Sequence, residues 1–277
     1  MSDDYVVSEI EKDYILTLLD QGKRIGGREK QEHRPIKFEL NFVETKAEGS
    51  AIVTLGETKI IAGVKATLGS PFPDTPDSGV ITTSAELSPI ASPYYESGPP
   101  GDDAIELARV TDRAIRESHC IDLSKLCIVP GKYVWILFID MYVLNADGNL
   151  IDAATLASLA ALSTTKIPKV KINEEGEPEV LDEKEVLELD HYPVTVTSYK
   201  IGKHRIIDPI LKEERIADCR ITFGFDEEEH IVSAQKGGIG VLKPDELVPI
   251  AKECLEVSKS YRAELLKAIE EFKKKGN

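Results

Sequence analysis

The sequence is poor in the residues that build metal centres and disulfide frameworks. Only four cysteines and five histidines occur among 277 residues. No two cysteines form a CxxC pair, and no two histidines have HxH or HxxxH spacing, so neither set resembles a metal-ligand motif. Each cysteine lies within or beside an apolar segment, which is typical of buried reduced thiols. We therefore expect free structural thiols, no metal site and no cofactor.

Long apolar runs are also missing. Charged side chains such as Asp3, Glu9 and Glu11 interrupt residues 1–20, so this segment lacks the apolar centre of a signal peptide. No later stretch reaches the roughly 20 apolar residues that a helix needs to cross a bilayer. The pattern predicts a soluble, cytoplasmic protein without a membrane partner.

Positive charge is in deficit. The chain has 34 lysines and arginines against 49 aspartates and glutamates, for a net charge of −15. The summed field repels a polyanion, so the surface as a whole is not a nucleic-acid-binding surface. Contact with RNA therefore requires a local cluster of positively charged side chains. The acidic balance also fits simple solubility, or a face that meets a basic partner, and composition does not separate these readings.

Hydrophobic periodicity predicts alternating strands and helices in the first half. Apolar spacing indicates an N-terminal helix over residues 8–21 and a buried helix over 151–163. Period-two segments up to residue 87 favour an antiparallel meander, and a strongly apolar strand follows at 133–144. A further helix is predicted over 102–118, behind Gly98, Pro99, Pro100 and Gly101.

The second half repeats the order of strands followed by a helix. Residues 173–190 are acidic and are expected to be solvated, strands are predicted near 194–199, 204–207, 218–225 and 231–234, and a last helix spans about 243–273. This predicts an α+β fold made of two halves that pack as one body. We assign 1–172 to the first half with its N-terminal helix, 173–193 to an acidic connection, and 194–277 to the second half.

Several segments, taken in order, carry a family resemblance. They are Arg24, Gly27, Arg28, Arg34 and Pro35 (with Gly26 where the family has Asp), Gly49-Ser50-Ala51, Gly56 with Thr58, the stretch ESGPPGDDAIELARVTDRAIR from Glu96, Gly131 to Trp135, and DGNLIDAATLASLAAL from Asp147. This set resembles the RNase PH family, and in particular the non-catalytic RNase PH-like subunit of the archaeal exosome. The match covers nearly the whole chain.

The resemblance implies a fold and an assembly. The fold would be two β-α halves related by a pseudo-twofold, with helices packed on one side of the sheets. The assembly would be a ring of three heterodimers with a catalytic RNase PH-like subunit, joined by RNA-binding cap subunits. Such a ring degrades single-stranded RNA from its 3′ end by phosphorolysis, in which inorganic phosphate releases a nucleoside diphosphate.

The phosphate-binding chemistry of that reaction is missing from this sequence. Active members use a Gly-Ser/Thr-Arg element, but here Gly148 is followed by Asn149, Leu150 and Ile151. Apolar side chains supply no donors to an anion, and Asp152 repels one. We therefore predict no catalytic residues.

The second catalytic element of active members is an acidic pair. Its nearest counterparts here are Glu214 and Asp218, with Arg215 between them and a shortened spacing. We interpret this pair as solvated or structural.

Two alternatives stay open at this point. The chain could be an active phosphorolytic exoribonuclease by itself, with a site rebuilt from Glu214, Asp218 and Arg220. It could also be a purely structural ring scaffold that contacts only protein. A small-molecule enzyme is disfavoured, because the glycines near residue 240 lack the Lys-Ser/Thr of a phosphate-binding loop.

Three of the chain's ten arginines fall within eight residues. At about 100° per residue, Arg113 lies about 40° to one side of Arg109 and Arg116 about 20° to the other, so they form one stripe. The resemblance implies that arginines matching Arg109 and Arg113 contact RNA near the partner's active site. We predict Arg109, Arg113 and Arg116 as RNA-binding residues. The alternative is a salt-bridged helix with Asp112–Arg116 and Arg113–Glu117 pairs.

Overall fold

Helices and strands in the first half lie close to their predicted positions. The computed structural model describes residues 8–275. The elements of this half are α1 (Glu9–Asp20), β1 (Ile36–Leu40), β2 (Gly49–Leu55), β3 (Thr58–Gly69), β4 (Val80–Leu87), α2 (Asp102–Glu117), β5 (Cys127–Val129), β6 (Tyr133–Asn145) and α3 (Leu150–Leu162). The predicted helices over 8–21, 102–118 and 151–163 are confirmed. β5 was not predicted, because three residues are too few to display a period.

The second half contains the four predicted strands and the long final helix. β7 (Lys166–Ile172) ends the first half and β8 (Pro178–Val186) lies in the acidic connection. The elements of the second half are β9 (Val194–Ile201), β10 (His204–Ile207), α4 (Leu211–Arg215), β11 (Cys219–Phe225), β12 (Ile231–Gly237) and α5 (Pro244–Lys275). The short helix α4 was not predicted. The acidic segment is exposed, as predicted, but it includes the regular strand β8 paired with β7.

The first sheet departs from the predicted meander at its fourth strand. Its order is β1-β2-β3-β6-β4, with β5 paired to β6. β1, β2 and β3 form an antiparallel meander, but β6 lies between β3 and β4, and β4 runs parallel to β6. Parallel strands need a long crossover connection, and the segment that contains α2 supplies it. The prediction of a meander through residue 87 is therefore wrong for β4.

One face of this sheet is covered by helices. Along β3, Ile60, Ala62 and Val64 are buried while the residues between them are partly exposed, which is the alternation of a sheet with one covered face. α3 packs on β2 and β3, and α2 packs on β4. Every residue of α3 after Leu150 is buried, as its Ala- and Leu-rich composition predicted.

The second sheet completes the core. It has the antiparallel order β10-β9-β11-β12, and β9 contacts both α3 and α5 while β12 contacts α2. One hydrophobic cluster therefore includes residues from both halves, such as Leu137, Val196 and Leu265.

A smaller cluster fixes the N-terminal helix. Ile15 and Leu19 of α1 pack against Tyr199, Ile201 and Ile206, so α1 contacts the sheet of the second half. The boundaries that we assigned to the two halves stay a prediction.

Candidate functional site

The start of α3 is the place where the resemblance predicts the phosphate-binding element of active members. Gly148 has φ 84°, and a Cβ there would lie 2.5 Å from the Pro209 carbonyl oxygen, so only glycine fits. Asn149 follows with φ 55° and begins the helix. Its backbone N–H donates to Glu214 Oε2 at 3.0 Å. A helix N-terminus attracts anions, and here a carboxylate of the protein itself takes this donor.

The Asn149 side chain is also engaged. Its Nδ2 donates to Asp152 Oδ2 at 2.9 Å and to Asp208 Oδ1 at 3.0 Å. Asp152 is fully buried, and its two oxygens accept from the backbone N–H and the hydroxyl of Thr197. Burial raises the pKa of Asp152 to about 7, although these hydrogen bonds oppose the rise.

Arginines from the N-terminal motif form a buried charge network with the second half. Arg34 Nη2 pairs with Asp208 Oδ1 at 2.7 Å, and Arg24 Nη2 pairs with Glu213 Oε2 at 2.6 Å. Arg24 and Arg34 are almost fully buried. Burial alone would raise the pKa of Asp208, but hydrogen bonds from Arg34 and its charge lower it below the usual value. These motif arginines tie residues 24–34 to Asp208 and to Glu213 of α4.

A cavity of about 130 Å³ opens beside the start of α3. Its lining is Leu87, Ser92, Tyr94, Tyr95, Asp103, Glu106, Leu107, Ala146, Gly148, Leu150, Ile151, Leu211, Glu214, Arg215 and Arg220. The Arg215 guanidinium lies 4.4 Å from the Tyr94 ring centre, and Arg220 Nη2 pairs with Glu106 Oε2 at 2.7 Å. Burial raises the pKa of Tyr95 to about 12. Protein groups thus already engage both of the arginines in the lining.

The structure does not bring Asp218 into this cavity with Glu214. Asp218 is exposed, and its Oδ2 accepts from the Gly202 N–H at 2.7 Å. Glu214 instead accepts from the Tyr199 hydroxyl at 2.9 Å as well as from Asn149. Burial raises the pKa of Glu214, and these two hydrogen bonds oppose the rise. The two carboxylates therefore have separate structural partners.

The predicted arginine stripe lies along α2, and its three members differ. Arg109 is exposed and has no hydrogen-bond or ion-pair partner among residues 8–275. Arg113 is partly buried and donates to Gln235 Oε1 at 2.6 Å. Arg116 pairs with Asp112 at 2.7 Å and donates to the Ile81 carbonyl at 2.9 Å.

The expected salt-bridge pattern is therefore half right. The Asp112–Arg116 pair forms, but Arg113 bonds Gln235 rather than Glu117. The reason is that β12 packs on α2 and brings Gln235 to the stripe. Gln235 also donates to Glu106 Oε1 at 3.3 Å, which links Arg113 to the lining of the cavity. Sequence reasoning missed Gln235, because nothing in a single strand reveals which helix it faces.

Metal ligands, membrane-spanning helices and cysteines can be surveyed over the part of the chain that the structure describes. Across residues 8–275, no three His, Cys, Asp or Glu side chains are grouped so that they could hold a metal ion. Within the same range, no helix combines the length and apolarity needed to cross a membrane. The four cysteines are free thiols, with Cys127 partly buried and the other three buried.

Comparison with known proteins identifies a family across both halves. Residues 32–168 match domain 1 of the 3′ exoribonuclease family (RNase PH), and residues 191–260 match domain 2. The chain is 51% identical to the exosome complex component Rrp42 of Thermococcus kodakarensis, over 97% of this chain and 99% of the relative. It is 50% identical to the protein of the same name from Pyrococcus horikoshii, over 97% and 98%.

Solved structures agree with these matches. A chain of the Archaeoglobus fulgidus exosome with RNA bound to the active site superposes with a TM-score of 0.85 at 42% identity, covering 92% of this chain and 98% of that one. A chain of an archaeal exosome core superposes with a TM-score of 0.82 at 39% identity, covering 93% and 96%. The predicted RNase PH-like α+β fold is confirmed.

Proposed function

This chain belongs to the 3′ exoribonuclease (RNase PH) family, and on that premise we propose that it is the non-catalytic subunit of an archaeal exosome ring. In the cytoplasm, it structures the active site of a catalytic RNase PH-like partner and binds single-stranded RNA for 3′-to-5′ phosphorolytic degradation. Three such heterodimers form the ring, and RNA-binding cap subunits join it. The named relatives and the exosome structures above support this role.

The proposal that this chain is not catalytic rests on one observation: a carboxylate of the protein itself is bonded to the backbone donor at the start of α3. Phosphorolysis requires donors that gather inorganic phosphate beside an anionic RNA backbone. Here the Asn149 N–H is bonded to the Glu214 carboxylate, and the next side chains, Leu150 and Ile151, offer no donor. A phosphate entering this place would have to displace the Glu214 carboxylate from the Asn149 N–H, so this donor is not available to the nucleophile.

The α2 stripe is the proposed RNA contact. Arg109 has a fully available guanidinium, Arg113 is held by one neutral partner, and Arg116 is held by a carboxylate and a carbonyl. We rank their contribution to RNA binding in that order, because a paired guanidinium has fewer donors left for phosphate. Such contacts to the RNA backbone supply affinity without sequence preference.

A phosphorolysis assay tests the proposal. The chain alone, given RNA with a 3′-hydroxyl and inorganic phosphate, is expected to release no nucleoside diphosphate above the rate of a protein-free blank. Addition of the catalytic RNase PH-like partner is expected to produce phosphorolysis faster than the partner alone. Nucleoside diphosphate release by the purified single chain would contradict the non-catalytic role. A mixture no faster than the partner alone would contradict the role in structuring its active site.

A further inference from the structure

The hairpin formed by β7 and β8 stands apart from the two larger sheets. Its base is held by the Lys166 N–H, which donates to the Glu48 carbonyl, and by the Leu187 N–H, which donates to the Thr165 carbonyl, both at 2.9 Å. Within residues 8–275 this sheet has two strands only, so each strand has a free edge. A two-stranded sheet exposed in this way is marginally stable unless something packs on it.

The two edges differ in how they are protected. Proteins block exposed strand edges with lysine and proline, which oppose pairing with another chain. β7 carries Lys166, Lys169, Lys171 and Pro168, whereas β8 carries one lysine, Lys184, and its one proline is its first residue. β8 instead carries four carboxylates, Glu179, Asp182, Glu183 and Glu185, so its edge opposes pairing with an acidic strand but can accept a basic one.

One face of the hairpin exposes apolar side chains. Val170 faces Val180 and Ile172 faces Pro178 across the strands, and facing residues share one side of a sheet. Val180 is 49% exposed, Ile172 39% and Val186 57%. The opposite side carries Glu179, which faces Lys171, and Glu185, which faces Ile167. Alternation along β8 places Val180 and Val186 on the side that also carries Asp182 and Lys184, and Glu179 and Glu185 on the side that also carries Leu181 and Glu183.

The charge of the segment identifies what can bind there. Residues 173–190 contain nine acidic residues and one lysine. Three of the nine are paired with lysines, namely Glu183 with Lys169, and Glu188 and Asp190 with Lys125. The other six have no ion-pair partner among the described residues; they are Glu174, Glu175, Glu177, Glu179, Asp182 and Glu185. RNA is repelled by such a surface, and a second copy of the hairpin would bring like charges together.

We propose that the open edge of β8 is a docking site for an extended, basic segment of a partner protein, which adds as a third strand. Backbone hydrogen bonds to the edge supply affinity, and alternating side chains supply specificity. The partner's lysines or arginines face Glu179 and Glu185, and its apolar residues cover Val180 and Val186. This inference does not depend on the proposed RNA role, because it concerns the single chain.

The test uses a defined peptide and the full-length chain. A fluorescein-labelled peptide of eight alternating lysines and valines is titrated with the chain and followed by fluorescence anisotropy. Glu179→Lys with Glu185→Lys is expected to weaken binding roughly tenfold or more, because two attractive contacts become repulsive. The matched control is Glu39→Lys with Glu271→Lys, two exposed glutamates on β1 and α5, which changes net charge equally but is expected to alter affinity less than about twofold.

Two further measurements distinguish strand addition from non-specific electrostatic attraction between the basic peptide and the acidic chain. The same peptide with alternate backbone nitrogens methylated keeps its charge but lacks strand hydrogen bonds, and it should bind roughly tenfold more weakly. Val180→Thr with Val186→Thr keeps the charge and strand propensity of the hairpin and should weaken binding severalfold; circular dichroism checks that each variant is folded. Equal binding by the methylated peptide, or equal loss in the control variant, overturns the proposal. So does a homodimer that the Glu179→Lys, Glu185→Lys variant dissociates, because a second copy would then be the occupant.

Discussion

Asn149 and its partners account for the hydrogen-bond donors at the start of α3. The backbone donor is bonded to Glu214, and the amide bridges Asp152 and Asp208. Asp152 and Asp208 are both buried, but the groups that neutralise their negative charges differ. Asp208 has Arg34 beside it, whereas Asp152 has only neutral donors. The cost of burying a charge therefore falls on Asp152.

This cost predicts a pH-dependent stability. Asp152 has a raised pKa of about 7, against an ordinary value of 3.8, so the folded state binds its proton more tightly than the unfolded state does. The free energy of unfolding that this residue contributes is therefore lost as pH rises from about 4 to about 7, by at most roughly 4 kcal/mol. In Asp152→Asn, which cannot ionise, that loss is absent.

Denaturant unfolding checks this as a difference between two proteins. The stability of Asp152→Asn relative to the wild type is expected to rise between about pH 5 and pH 7.5, because other titrating groups cancel in the difference. Ser158→Ala, a neutral change on the same buried helix, should give a difference that does not vary with pH. A flat profile for Asp152→Asn would mean that Asp152 is not protonated in the folded protein.

Helix α2 has a buried side and an exposed side. Leu107, Val110 and Ile115 are buried against the sheets, and the other side carries Arg109 and Arg113. The long crossover between β4 and β6 places the helix over β12 as well as over the first sheet. The stripe is thus held on a helix rather than on a loop, which would limit the entropy lost in the RNA binding that we propose.

We predict that removal of the arginine stripe weakens RNA binding without disturbing assembly of the ring. In the ring assembled with the catalytic partner, Arg109→Ala with Arg113→Ala is expected to leave assembly intact and weaken RNA retention. The slope of log affinity against log salt should become shallower by about 1.4, since each phosphate contact on a single strand accounts for about 0.7. Affinity measured at several salt concentrations checks both effects.

A control with the same loss of charge is available on α5. Lys273→Ala with Lys274→Ala removes two exposed positive charges from the end of that helix. It should leave the affinity and the salt slope nearly unchanged. If the arginine variant behaves like this control, the stripe is a structural network only, and RNA is held elsewhere.

The molecule as a whole carries a net charge of −15. Where it can bind RNA or protein therefore depends on how positive and negative side chains are distributed over its surface. The acidic hairpin and the arginine stripe present opposite charges on different elements, β8 and α2. Our two proposals follow this difference in charge, with a basic protein segment at β8 and a polyanion at α2. A single chain of this kind is well matched to an assembly that must bind RNA and protein at separate places.

Native mass measurement is the sharpest test of that assembly. Mixed in equal amounts with its catalytic RNase PH-like partner, the chain is expected to form one species that contains three copies of each. The chain alone should not form a stable six-membered species. Because the mass of each subunit differs, a homomeric hexamer or a complex of unequal composition would be distinguished directly, and either result would contradict the proposed ring.

The order of elements was readable from the sequence because side-chain periodicity is a local property. The alternation of apolar residues around Ile60 to Val64 predicts a strand with one buried face. The Ala- and Leu-rich composition of α3 predicts a buried helix. The family motifs, from Arg24 to the segment after Asp147, added the fold. Short elements such as α4 and β5 were missed, because they are shorter than the period that would reveal them.

Pairings between distant segments were decided only by the tertiary structure. The insertion of β6 between β3 and β4, the bond from Arg113 to Gln235, and the Glu214 carboxylate on the Asn149 N–H each join residues far apart in the chain. The local sequence shows that Leu150 and Ile151 have no side-chain donor for phosphate. That a carboxylate from α4 also occupies the remaining donor follows from packing, since hydrogen bonds between distant segments depend on how the whole chain closes on its core.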